Sequence, residues 1–102
     1  MKKVYLQVYP SQIVYAVFAS KREGYNKNVV LKCRIEQAQV YEEYTEYLAK
    51  PIKVVTDKND NVNKYITIHF RNANIDTGYR NKHGYCYPVF TTKEKCLEWI
   101  RK

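Results

Sequence analysis

Cleaving an RNA phosphodiester takes a base for the 2′-hydroxyl, an acid for the leaving oxygen, and cations for the charge that builds on phosphorus. His69, Arg71, Tyr79, Arg80, Lys82 and His83 bring these kinds of group into one short stretch. A small basic ribonuclease is therefore one candidate chemistry. The stretch shows no fixed spacing that such a reaction would demand, and binding without reaction explains the same residues with fewer requirements. Paired carboxylates are absent outside the glutamate-rich segment at 36–46, where they read as a solvated helix face, and a glycine-rich phosphate loop is missing from a sequence with only 3 glycines.

Metal sites fare less well. Asp57-x-Asn59-x-Asn61 starts like a calcium loop, but Val62 stands where glycine is needed and Ile68 where a bidentate glutamate is needed. His83-x-x-Cys86 is half of a zinc spacing, and no second close pair completes it. Neither a metal nor a cofactor is expected. Cys33, Cys86 and Cys96 are an odd number without a framework spacing, which suits reduced thiols in a cytoplasmic setting.

The larger signal is a surplus of tyrosine and of cations: 11 Tyr and a net charge of +8 in 102 residues. Glu36, Glu42, Glu43 and Glu46 fall in a segment without Lys or Arg, leaving 18 cations against six acids elsewhere, a net of +12. Such a surplus draws polyanions through a long-range field and through counterion release from phosphates. Flat phenol faces beside cations stack unpaired bases at about 1 to 3 kcal/mol each. Tyr5, Tyr9, Tyr15, Tyr65 and His69 offer such faces. Lys2, Lys3, Lys21, Arg22, Lys27, Lys64, Arg71, Arg80 and Lys82 offer phosphate contacts.

The elements that must hold these groups read as follows. Lys2 to Tyr9 alternates like a strand and is broken by Pro10; Gln12 to Ala19 is β-branched and aromatic, and the two make a hairpin. Ser20 to Asn28 is a basic loop, and Val29 to Ile35 a third strand. Over Glu36 to Lys50, Val40, Tyr41, Tyr44, Tyr47 and Leu48 recur at helical spacing opposite the glutamates, which predicts an amphipathic helix ended by Pro51. Ile52 to Thr56 and Lys64 to Phe70 form a second hairpin, with Ile66, Ile68 and Phe70 inward and Tyr65, Thr67 and His69 outward. Arg71 to Gly84 is an irregular loop. Tyr85 to Phe90 is a strand, and Thr91 to Glu94 is a capping box opening a last helix whose stripe is Cys96, Leu97, Trp99 and Ile100.

Together these give an α+β fold, a single domain over residues 1–102 with a mainly antiparallel sheet of five to six strands, one central amphipathic helix and a short C-terminal helix. No segment has the length of a membrane span or a signal peptide. The expected activity is that of a small basic, non-enzymatic binder of RNA or single-stranded DNA, or of a nucleoprotein complex, through phosphate contacts and tyrosine stacking. The binding residues are Lys21, Arg22, Lys27, Lys64, Tyr65, His69, Arg71, Tyr79, Arg80, Lys82 and His83. The competing expectation is an inhibitor or adaptor of the kind phages and mobile elements encode, which binds one host protein. Tyrosine suits such an interface equally well.

Overall fold

A computed structural model describes residues 6–18, 29–55, 67–77 and 88–101. Its elements are β1 (Ile13–Phe18), β2 (Val29–Val40), β3 (Thr45–Val54), β4 (Ile68–Arg71), a 3-10 turn (Asn72–Asn74), β5 (Val89–Phe90) and α1 (Lys93–Ile100). The strands form one antiparallel sheet in the order β4-β3-β2-β1-β5. The α+β class holds, with five strands and one α-helix among the described residues.

Alternation along each strand sorts side chains between two faces. Val14 and Ala16 of β1, Leu31, Cys33 and Ile35 of β2, Tyr47 and Ala49 of β3, Ile68 and Phe70 of β4, and Val89 of β5 are buried together on the inner face. Tyr47 stacks on Phe70 with ring centroids 5.0 Å apart. On the outer face Val17, Val30 and Phe90 pack with Cys96 of α1, flanked by Tyr15, Val55, Trp99 and Ile100. The helix thus covers the β1–β5 side of the outer face together with Val30 of β2, and leaves the outward side chains of β2 from Lys32 onward and those of β3 uncovered by it.

The central helix expected over Glu36 to Lys50 is absent: these residues are the second half of β2, a turn at 41–44 and the first half of β3. Thr45, Tyr47 and Ala49 are buried while Glu46, Leu48 and Lys50 are less so, a period of two. Tyrosine, threonine and valine favour a pleated surface over a helix. Cross-strand partners decide the matter, since Tyr47 lies between Ala38 of β2 and Phe70 of β4. Val40 and Tyr41, assigned to the buried stripe of that helix, are 47% and 40% exposed.

Pro51 does not end a helix but sits within β3. The register passes from Lys32↔Lys53 to Cys33↔Pro51, so Ile52 bulges out of the ladder beside it. Bulges are where a strand tolerates proline.

Other boundaries also move. Residues 6–9 form no strand, residues 2–5 of the expected first strand lie outside the described residues, and β1 pairs with β2 and β5. Val8 is nonetheless buried in the inner core. The second hairpin exists as β3 and β4, but its ladder joins Glu46–Ala49 to Ile68–Arg71 rather than starting at Ile52. Ile68 and Phe70 do face inward and His69 outward. The cap of α1 is Thr92, whose hydroxyl accepts from the Lys95 amide at 3.3 Å, one residue later than expected.

Thr91 is engaged elsewhere. Its amide and hydroxyl each donate to the Asp76 carboxylate at 2.8 Å, and Lys95 Nζ reaches the same group at 3.4 Å. Asp76 has φ 58°, in the left-handed region that Asp tolerates better than most residues. It thereby ties the chain after β4 to the start of α1.

Candidate functional site

Of the expected binding residues, Lys21, Arg22, Lys27, Lys64, Tyr65, Tyr79, Arg80, Lys82 and His83 lie outside the described residues. So do the calcium-like run at Asp57 and the His83-x-x-Cys86 pair. His69 and Arg71 are described, and β4 directs both to the outer face in alternation with the buried Ile68 and Phe70. Both meet an acid there. Glu46 Oε1 is 3.8 Å from His69 Nδ1, and Glu46 is the cross-strand partner of Arg71. The Arg71 guanidinium lies 4.1 Å over the Tyr44 ring, whose centroid is 4.9 Å from that of Tyr41.

This end of the sheet is held firmly by side-chain amides. Asn74 Oδ1 accepts from the Arg71 amide at 2.8 Å, and Asn72 Oδ1 accepts from the Thr45 amide at 3.1 Å. Arg71 is therefore a positioned cation on an aromatic face, with Glu46 offsetting part of its charge. Glu42 and Glu43 are exposed at the adjoining turn. Phosphate is not favoured at that tip.

The uncompensated charge is one step back along the sheet. Lys32 is the direct cross-strand partner of Lys53, and Arg34 of Lys50. Opposed side chains in such a ladder have Cβ atoms about 4.5 to 5.5 Å apart. On β2 the successive outward positions Lys32 and Arg34 repeat at about 6.6 to 6.8 Å, while on β3 the bulged Ile52 lies between Lys50 and Lys53. Four cations thus occupy the corners of a small rectangle on the outer face. Arg34, Lys50 and Lys53 are exposed and Lys32 half-buried. None of the four makes an ion pair with a described residue; the close contacts between basic and acidic side chains among the described residues are His69–Glu46 and Lys95–Asp76. The nearest acid in sequence is Glu36, in the β2 irregularity between Ile35 and Gln37, and it is exposed.

Like charges placed directly opposite one another weaken a sheet. Two such pairs in adjacent rows favour whatever anion neutralises them. Sequence reasoning passed over these residues. Lys32 and Arg34 alternate with Leu31, Cys33 and Ile35 in a stretch already legible as a strand, but their partners stood in what reads as a helix end and a different hairpin.

The phenols divide. Tyr47 is core, with 0% exposure, so it offers no face to a ligand. Tyr9 is 56% exposed. Tyr15 is half-buried on the outer face as the direct neighbour of Lys32. Tyr5 lies outside the described residues.

Among the described residues no group of three or more His, Cys, Asp or Glu side chains could hold a metal ion. No described helix is long and apolar enough to cross a membrane. Burial pushes the Cys33 thiol up to about 12 and the Cys96 thiol up to about 11, so neither is a nucleophile at neutral pH. The chain matches no protein-family model, no curated protein and no solved structure.

Proposed function

We propose that this chain is a small nucleic-acid-binding protein that holds phosphates of RNA or DNA, free or in a nucleoprotein complex, on the outer face of β2 and β3. The carrying observation is the rectangle of Lys32, Arg34, Lys50 and Lys53, two opposed pairs of cations with no described acidic partner. Contacts of this kind position a polyanion without reading its sequence. The reading is of a binder, and no reaction is asked of Glu46 or His69, which meet on an open sheet face half exposed to solvent.

Salt titration of the affinity tests it. Replacing Lys50 and Lys53 together by Ala should weaken binding on every sequence, and should reduce the slope of log K against log salt by about 1.4 for a single strand or about 1.8 for a duplex. An unchanged slope would remove the rectangle from the interface.

A second reading has its own observation. Val40 and Tyr41 are exposed apolar side chains beside Glu42 and Glu43 at the β2–β3 turn, a surface that suits a protein partner more than a phosphate backbone. On that reading the chain is an adaptor or inhibitor of one host protein. Co-purification of a single protein after nuclease treatment, lost in Tyr41→Ala but kept in the Lys50/Lys53 variant, would establish it.

A further inference from the structure

Two transverse rows cross the outer face at the cations. One runs Phe90, Tyr15, Lys32, Lys53 from β5 to β3, and the other Ile13, Arg34, Lys50 from β1 to β3. Phe90 in turn meets Trp99 of α1 with ring centroids 5.7 Å apart. An aromatic run from the helix therefore ends at Tyr15, directly against Lys32. Cations lie on one side of a line down the sheet and half-buried apolar side chains on the other.

The patch is also short. Toward α1 the next outer-face position of β2 is Val30, already buried in the helix-side cluster. Toward the turn come Gln37, Leu48 and His69, and then Glu46. Only two rows of cations fit between these limits.

We infer that the occupant is a single nucleic-acid strand, unpaired where it crosses β1 to β3, with about two phosphates on the cation rectangle and a base against Tyr15. This rests on the nucleic-acid reading above. A duplex shows a sheet face only phosphates and sugars and keeps its base faces stacked inside, so Ile13 and Tyr15 would gain nothing from it. A two-stranded ribbon can enter a major groove. The ribbon end formed here by β2 and β3 carries Glu42 and Glu43, which phosphates repel. An unpaired strand satisfies both halves of the patch at once.

The test is fluorescence anisotropy with labelled oligonucleotides of one sequence and length, as single-stranded RNA, single-stranded DNA and duplex DNA, at one salt concentration. One or both single strands should bind at least about tenfold more tightly than the duplex, because one stacked base contributes on the order of that factor. Tyr15→Leu should weaken the single strand about fivefold or more and leave the duplex unchanged, while Tyr15→Phe keeps the wild-type preference. Thermal melts of both variants confirm their fold. A duplex bound as tightly as either single strand overturns this inference and leaves the parent reading standing. Absence of salt-sensitive binding to any of the three overturns both. The comparison on the wild-type chain decides the question even if the Leu variant does not fold.

Discussion

Lys32 on β2 and Lys53 on β3 face each other across the ladder with the same charge, and Arg34 and Lys50 repeat the arrangement one row along. The sheet carries this repulsion without a described acid to offset it. Function and stability should therefore oppose each other at these positions. Lys53→Glu is expected to raise unfolding free energy at low salt by about 0.5 kcal/mol and to weaken nucleic-acid binding. Added salt should stabilise the wild-type chain more than the variant, since screening relieves only the former. Denaturant melts at two ionic strengths would show it; a destabilised variant would mean the two lysines do not repel.

Tyr47 is buried against Phe70, yet its hydroxyl makes no hydrogen bond of good geometry. Burial raises its pKa above 10.0, with the nearby backbone amides of Val8 and Gln7 acting in the opposite direction. Tyr47→Phe removes a polar atom that lacks a partner and keeps the stacked ring, so stability should be unchanged or rise by about 1 kcal/mol. Tyr47→Ala, which leaves a cavity, should cost about 3 to 5 kcal/mol. The native-state phenol is protonated below pH 10, and the stability this confers should be lost as pH climbs beyond 10 through the raised value.

Asp76 supplies an acid-sensitive tie. Burial raises its pKa, but the amide and hydroxyl of Thr91 and the Lys95 ammonium outweigh that and bring it below 3.8. A carboxylate depressed in the fold contributes stability above its unfolded value, and loses it as pH falls through the folded one. Wild-type stability should fall with acid from about pH 4 downward, and Asp76→Ala should flatten that part of the profile. The variant should also cost about 1 kcal/mol at neutral pH, measured by chemical denaturation.

Cys33 and Cys96 are fully buried free thiols whose pKa values are pushed up to about 12 and about 11. In a Cys86→Ser background they should resist alkylation at pH 8 in the native protein and react promptly in denaturant. Rapid native-state labelling of either would show that the core opens around it.

Period-two alternation made Val29 to Ile35 legible as a strand, and Ile68 and Phe70 legible as core. The C-terminal helix was legible from its apolar stripe and threonine cap. In each case the deciding contacts are local or the pattern admits one period. Glu36 to Lys50 failed for the opposite reason: Val40, Tyr41, Tyr44, Tyr47 and Leu48 satisfy a helical spacing, while the same chain also carries Thr45, Tyr47 and Ala49 on one strand face. Local spacing cannot choose between the two. The choice comes from Ala38 and Ile35 across the 41–44 turn and from Phe70 and Ile68 of the more distant β4, which flank Tyr47 and Ala49 on both sides.

What the amino-acid order determined by itself was a basic, tyrosine-rich α+β chain with its acids concentrated around residues 36–46. Tertiary structure alone decided that Lys32 opposes Lys53, Arg34 opposes Lys50, and Tyr15 borders them. Charge and composition add up along a chain, whereas an interface depends on register, and the register of β2 on β3 is set by the turn at 41–44, by the irregularities along the pair and by burial of one apolar face against strands from elsewhere in the chain.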